Sequence, residues 1–323
     1  MEHRKLGKSG LKVSELCLGT MTFGWTTDEN HSYQVLDTAF DAGINFIDTA
    51  DIYSRWSPGN PGGVAETFIG KWMRGKPREQ IILATKVRGR MWDGANGEGL
   101  SRVHIIKACH DSLRRLQTDH IDLYQLHWTD ADTPLEETLR ALDDLVHAGK
   151  VRYIGVSNYP AWQIAKALWL SDKHHLEAVV CAQPHYNLVW RGEYERELMA
   201  LCAEEKIGVI PYSPLQGGFL TGKYRKGAPM PKGSRGEGNE RMTRFVNDDR
   251  NMALLDTMEK IALDHGKTIA QVAIAWMLAN HTVTSAIIGA NTAAQLNDLL
   301  GSVTFHLSAE QKKILDDLTA WQL

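Results

Sequence analysis

Long apolar runs are missing from this chain. The longest, residues 269–279, is interrupted by Gln271 and falls well short of the ~20 residues a helix needs to cross a bilayer. The first ten residues carry His3, Arg4, Lys5 and Lys8 with no apolar core behind them, so no secretory leader is expected. Cysteine is also scarce. The four present, Cys17, Cys109, Cys181 and Cys202, are widely spaced within apolar segments and form no C-x-x-C pair. That excludes a disulfide framework, a zinc ribbon and a dithiol redox motif, and reads as buried free thiols in a reducing compartment. An excess of one charge is lacking too: Lys and Arg number 36 against 39 Asp and Glu, a formal charge of −3. Nothing in that balance calls for nucleic acid or an anionic membrane as partner. A soluble cytoplasmic protein is expected.

What is present is an ordinary globular composition, 43% hydrophobic and 23% charged over 323 residues, with material for a large core. The recurring theme is a short β-branched run, a turn, and an amphipathic helix. Residues 16–19, 45–48, 81–86, 121–127, 152–157, 178–183, 208–211 and 285–289 are eight candidate strands. Helical patterns lie between them at 33–42, 105–116, 135–148, 195–205 and 270–278. Thr133 before Pro134 offers an N-cap with proline at the first helical position, and Gly149 offers a left-handed stop. Ser308 with Gln311 forms a capping box for a last helix at 309–319. Strands alternating with helices predict a parallel sheet with right-handed crossovers, and eight units predict closure. The expected fold is α/β: a (β/α)8 TIM barrel in one domain spanning 1–323, with extra C-terminal helices. Residues 4–14 read as an N-terminal β-hairpin, turning at Gly7–Gly10, that plugs the barrel bottom.

Two stretches break the rhythm. Residues 54–64 and 215–244 are rich in Gly and Pro, and the second also carries several Lys and Arg. Loops of that length are usually functional, although surface tolerance explains the composition equally well.

In such a barrel, reactive residues come from the C-terminal ends of strands and the loops after them. Asp48, Lys86 and His127 each end a candidate strand, and Tyr53 lies in the loop after the second. Singly, each has an ordinary explanation: Asp48 could cap a turn, Lys86 could reach out to water, and His127 and Tyr53 could be packing residues. Together at one rim they suit carbonyl reduction. A phenol holds its proton at neutral pH. A nearby ammonium stabilises the phenolate left behind and is expected to pull the phenol's pKa down. Asp48 keeps Lys86 charged and fixed, and His127 donates a hydrogen bond that orients the carbonyl oxygen. The hydride has no protein source and requires a nicotinamide or flavin.

At these residues the chain resembles the aldo-keto reductase family. Asp48-Thr49-Ala50-Asp51-Ile52-Tyr53, followed by Gly63-Val64-Ala65-Glu66, is similar to one family signature. Leu113-Arg114-Arg115-Leu116 leading to Asp122-Leu123-Tyr124-Gln125-Leu126-His127-Trp128 is similar to a second. Ile154-Gly155-Val156-Ser157-Asn158 and Gln183-Pro184-His185-Tyr186-Asn187 resemble two more. The likeness covers about residues 6–315 and is nearest to the branch of bacterial reductases, aryl-alcohol dehydrogenases and potassium-channel β subunits. It implies NADP(H) as cofactor and a small-molecule carbonyl substrate.

The resemblance also implies a cofactor site. Ser157, Asn158 and Gln183 match the residues that hold the nicotinamide carboxamide, and Tyr212 the ring stacked on the nicotinamide. Gly19, Thr20 and Met21 match the segment beneath the cofactor, and Asp48 also borders it. Ser213, Pro214, Leu215 and Gly217 belong to the loop over the pyrophosphate. Lys223 and Arg235 match the two cations on the 2′-phosphate, which suits NADP over NAD. Gly289, Asn291, Gln295 and Asp298 match the adenine end. There the chain departs from the family, with Asp298-Leu299 where Glu-Asn is usual, and Leu299 offers adenine no polar group. No G-x-G-x-x-G follows a strand, which argues against a Rossmann domain.

Trp25, Trp56 and Trp128 lie after strand ends and are candidate walls of a substrate pocket for aromatic or extended apolar carbonyls; packing of loops on helices is the competing role. Trp92 and Trp190 lie in similar segments. Two other readings separate by experiment. An NADP-binding sensor subunit would bind cofactor with little turnover. A metal-dependent hydrolase using His127 and His185 would need a clustered ligand set, whereas no metal is expected here. The sequence leaves self-association open.

Overall fold

The computed structural model describes residues 1–321. A two-stranded antiparallel hairpin opens the chain, β1 (His3–Lys5) and β2 (Lys12–Ser14). Eight parallel strands follow: β3 (Leu16–Gly19), β4 (Phe46–Asp48), β5 (Ile82–Val87), β6 (Ile121–Leu126), β7 (Val151–Ser157), β8 (Val179–Gln183), β9 (Gly208–Val209) and β10 (Ala286–Ile288). Each neighbours the next in sequence order, and β10 pairs with β3. Closure between β9 and β10 uses a few bonds: Thr284 N to Val209 O at 2.8 Å and Ile287 N to Pro211 O at 3.0 Å. The result is a (β/α)8 barrel.

The helices that return the chain are α1 (Glu29–Asp41), α2 (Val64–Met73), α3 (Arg102–Leu116), α4 (Leu135–His147), α5 (Ala161–His174), α6 (Gly192–Glu195) with α7 (Leu198–Glu204), α10 (Ile269–Leu278) and α11 (Ala293–Leu300). Between β9 and α10 the chain inserts α8 (Glu240–Asn247) and α9 (Asp249–Asp264), and α12 (Ala309–Leu318) ends it. The expected helix at 195–205 is thus two pieces, and the expected loop 215–244 already turns helical at Glu240. The cause is Asn239, whose side chain accepts from Met242 N and caps α8.

Capping shifts one expected boundary. Thr133 does not cap α4; its hydroxyl donates to Asp130 Oδ2 at 2.8 Å, and Pro134 takes the cap position. Gly149 adopts φ +69° just past α4, and Ser308 with Gln311 forms the capping box of α12.

Side chains alternate in and out along a strand. Cys17, Phe46, Ala84, Leu123, Cys181, Ile210 and Ile287 fill the barrel interior. Leu6, wholly buried, joins them from the hairpin and closes the bottom. The hairpin turn docks through Lys8 N to Lys206 O at 2.7 Å. Gly7 makes this possible: its φ is +59°, and a Cβ there would lie 2.5 Å from Gly208 N and Lys206 O. With the lower barrel filled by apolar side chains, the next inward positions fall at the C-terminal mouth. They are Asp48, Lys86, Gln125 and Gln183.

Candidate active site

Strand pleating delivers these groups. Asp48 stands two residues beyond Phe46, Lys86 two beyond Ala84, and Gln125 two beyond Leu123, so all point inward one layer above the apolar plug. The Lys86 side chain is wholly buried, and its ammonium donates to Asp48 Oδ2 at 2.6 Å, Thr49 O at 2.9 Å and the Tyr53 hydroxyl at 2.7 Å. All three of its N–H bonds are satisfied, as a buried ammonium requires. The Tyr53 hydroxyl lies 3.4 Å from Asp48 Oδ2.

The loop bearing Tyr53 is pinned at several points. Thr49 N donates to Ala84 O at 2.9 Å and Tyr53 N to Ala50 O at 3.3 Å. Ser54, at φ +67°, sends its hydroxyl to Phe23 O at 2.8 Å. That positive φ is uncommon for a residue with a Cβ and swings the chain away directly after Tyr53.

Burial pushes the Tyr53 phenol well above its ordinary value, and the charge and hydrogen bond of Asp48 add to the rise. The downward pull expected from Lys86 does not prevail against burial and the Asp48 charge. Tyr53 therefore keeps its proton at neutral pH. His127 is held well below the ordinary imidazole value, first by burial and then by the charges of Lys86 and Arg88. Among the described residues its buried Nδ1 has no partner, which leaves Nε2 as the open ring nitrogen. The His127 and Tyr53 rings meet edge-on with centroids 5.9 Å apart.

Gln125 was legible only as part of a motif. Its Nε2 donates to Asp48 Oδ1 at 3.2 Å, and Gln183 Nε2 donates to the same oxygen at 2.8 Å. Asp48 is thereby held on both oxygens. A polar side chain at an inward position of β6, two residues before His127, was the available signal.

Behind the mouth lies a second buried group. Glu66, wholly buried, accepts from Arg115 Nε at 2.6 Å and from the Thr85 hydroxyl at 2.6 Å. The buried Asp51 carboxyl has no hydrogen-bond partner among the described residues. Burial first, and the Glu66 charge second, raise its pKa well above the usual carboxylate value. The folded chain therefore keeps a proton that the unfolded chain releases above pH ~4, and stability falls as pH rises from there toward the raised value. Asp51→Asn removes that term. Denaturant titrations should show the variant gaining on the wild type between pH 4.5 and 7.5; an identical difference at both pH values would contradict this.

The tryptophans divide. Trp25 and Trp56 pack edge-to-face at 5.6 Å, Trp56 meets Tyr53 at 6.4 Å, and Trp128 stacks on His127 at 3.7 Å. All three are substantially exposed. Trp92 instead stacks on His104 of α3, and Trp190 on His185.

Several of the side chains matched to a cofactor are joined by hydrogen bonds beside His127. Ser157 donates to Gln183 O at 2.9 Å, Asn158 Nδ2 to His127 O at 3.0 Å, and the Tyr212 hydroxyl to Asn158 Oδ1 at 2.8 Å. Within the described residues Gln183 Oε1 accepts no hydrogen bond. With the second lone pair of Asn158 Oδ1 it offers acceptors for an amide N–H2 group, while the Ser157 proton is already given to Gln183 O. Ser213 and Gln216 take positive φ of 58° and 46°, followed by Gly217 at 64°, so the Pro214–Leu215 loop turns sharply. Among the described residues neither Lys223 nor Arg235 pairs with a carboxylate; they rest on the rings of Tyr224 and Trp25. These features fit a dinucleotide phosphate.

Other matched residues are committed elsewhere. The Thr20 hydroxyl is buried and donates to Asp48 O at 3.0 Å, so Gly19, Thr20 and Met21 offer backbone rather than side-chain groups. Asn291 Oδ1 accepts from Thr27 at 3.1 Å, and Gln295 Oε1 from Asn291 N at 2.8 Å, just beyond Gly289. The Asp298 carboxylate turns to the start of α10, accepting from Thr268 and from Gln271 Nε2, both at 3.2 Å. Leu299 is core.

A barrel with a buried ammonium, a carboxylate and a phenol at its C-terminal mouth defines a class of enzyme whose chemistry is seated on strand ends. The chain belongs to the aldo/keto reductase family, whose model matches residues 15–320, and is an oxidoreductase of that kind. It is 39% identical over 324 residues to the uncharacterized oxidoreductase YrpG of Bacillus subtilis, covering 98% of this chain and 96% of the relative. It is 37% identical over 332 residues to protein tas of Escherichia coli, covering 96% and 95%. A probable voltage-gated potassium channel subunit beta of Arabidopsis thaliana is 37% identical over 310 residues, covering 94% and 91%.

Proposed function

We propose that this protein reduces aldehydes or ketones to alcohols with NADPH, reversibly, using Tyr53 as general acid and base. The observation that carries the reading is the position of Lys86 Nζ, 2.7 Å from the Tyr53 hydroxyl and 2.6 Å from Asp48. When bound, the cofactor supplies the hydride that the carbonyl carbon accepts. Tyr53 gives its proton to the carbonyl oxygen, and Lys86 stabilises the phenolate that remains. Asp48, itself held by Gln125 and Gln183, keeps the ammonium in place. Neutral His127 presents Nε2 to orient the oxygen. Trp25, Trp56 and Trp128 give the entering substrate apolar walls.

The test is oxidation of NADPH in the presence of 4-nitrobenzaldehyde. Turnover supports the enzyme; tight binding without turnover supports the sensor reading, which a channel-subunit relative makes worth separating.

Cofactor choice follows from Lys223 and Arg235. Each charge-assisted bond to a phosphate contributes about 1.5–3 kcal/mol, so NADPH should bind roughly tenfold or more tighter than NADH. In Lys223→Ala and Arg235→Ala the gap narrows because NADPH weakens while NADH does not. Equal dissociation constants in the wild type would remove the claim.

A further inference from the structure

The covering segment between Tyr212 and α8 is anchored at both ends on one column of stacked groups. The His185 ring stacks on Tyr212 with centroids 5.0 Å apart and planes 10° off parallel. Trp190 stacks on His185 at 5.1 Å and 23°. Arg241, in α8, places its guanidinium carbon 4.7 Å from the Trp190 ring centre. Tyr212 thus begins the segment and Arg241 ends it. Leu215, Gly217, Lys223 and Arg235 lie between them.

The column is fixed at its edge as well. His185 Nε2 lies 2.8 Å from Gln216 Oε1, and Asn187 Nδ2 donates to Gln216 Oε1 and to Ser213 O, both at 2.9 Å. These bonds run into the residues whose positive φ turns the loop. Burial, with the nearby Arg241 charge contributing, holds His185 below the ordinary imidazole value. A neutral ring stacks on tyrosine without a buried charge to satisfy. Arg241 caps the far end by cation–π attraction, and no carboxylate competes for it among the described residues.

We propose that His185 and Trp190, capped by Arg241, are positioning residues for the nicotinamide: they back the Tyr212 ring and fix its plane. The inference rests on the reading that Tyr212 stacks on the nicotinamide. A ring supported from behind loses little freedom when a ligand stacks on it, so more of the stacking energy appears as affinity.

Two ligands separate the possibilities. NADPH reaches Tyr212; 2′,5′-ADP, which lacks the nicotinamide, does not. Tyr212→Leu calibrates the reading by weakening NADPH while sparing 2′,5′-ADP. Trp190→Leu and His185→Leu are expected to show the same selective loss, about three- to tenfold in the NADPH dissociation constant. Arg241→Ala shifts it in the same direction by less, and His185→Phe, which keeps a ring, restores most of the affinity. Unchanged 2′,5′-ADP binding shows that the variants are folded and the phosphate site intact. If Tyr212→Leu is selective but Trp190→Leu and His185→Leu leave NADPH binding unaltered, the column has no such role. If they weaken both ligands equally, it only supports the loop, and the inference is overturned. If Tyr212→Leu itself is not selective, the nicotinamide assignment falls instead.

Discussion

Tyr53→Phe is expected to lower kcat for carbonyl reduction by about 10²–10⁴-fold and to leave NADPH affinity nearly unchanged. The phenylalanine ring occupies the same space against Trp56 and His127, so packing is conserved. What goes is the one proton held 2.7 Å from a buried ammonium. No neighbour replaces it. His127 is neutral and sits below its ordinary pKa, which makes its N–H a hydrogen-bond donor but a poor source of a full proton. Lys86 has all three N–H bonds engaged. Steady-state turnover with 4-nitrobenzaldehyde, alongside a cofactor titration, checks this. A variant within a few-fold of wild type would show that Tyr53 is not the proton donor.

Lys86→Met acts twice. Turnover falls because the Tyr53 phenolate loses its counter-charge. Stability falls because Asp48, 2% exposed at its side chain, is left without its cation. Breaking a buried ion pair in this way costs about 3–5 kcal/mol, and the bonds from Gln125 and Gln183 place this case toward the lower end. The orphaned carboxylate will take a proton to relieve itself. Its folded-state pKa then exceeds its unfolded value, so the penalty grows as pH rises above the ordinary carboxylate range. Adding Asp48→Asn to Lys86→Met removes the buried charge, and the double variant should recover most of the stability and none of the activity. Denaturant unfolding of both variants at pH 5 and pH 8 measures this. A double variant as unstable as Lys86→Met alone would mean the loss came from packing, not charge.

The barrel was legible because its signal is repeated. Eight short β-branched runs separated by helical patterns leave few alternatives, and period-two alternation then places Asp48 and Lys86 inward without further information. The helix boundaries were less legible where a cap competes locally. Thr133 has the right chemistry for α4, but Asp130 captures its hydroxyl first. The insert before α9 reads as loop by its Gly and Pro content, and only the Asn239 cap marks the turn into α8.

The site was legible in part. Strand-end residues follow from the pleat, and family motifs supply the rest of the cofactor set. Electrostatic sign did not follow. Strand-end positions suggest an ammonium near a phenol, but the upward shift at Tyr53 comes first from its burial and then from Asp48, 3.4 Å from the same hydroxyl. Nor could the sequence show that Asp298 turns to Thr268, since a carboxylate one helical turn along looks equally available to either side. His185 and Trp190 were visible as ring residues, yet the stacking of His185 on Tyr212 requires the loops after β8 and β9 to converge.

The central claim is that carbonyl and cofactor meet above Tyr53, and isotope transfer tests it most directly. NADPH deuterated at C4 of the nicotinamide, each of the two C4 forms in turn, is mixed with 4-nitrobenzaldehyde and the protein, and the alcohol is analysed by mass. The account predicts that one of the two forms places one deuterium on the carbinol carbon, with product formation collapsing in Tyr53→Phe. NADPH bound at saturation with no deuterium delivered to any aldehyde or ketone in a broad panel would contradict it.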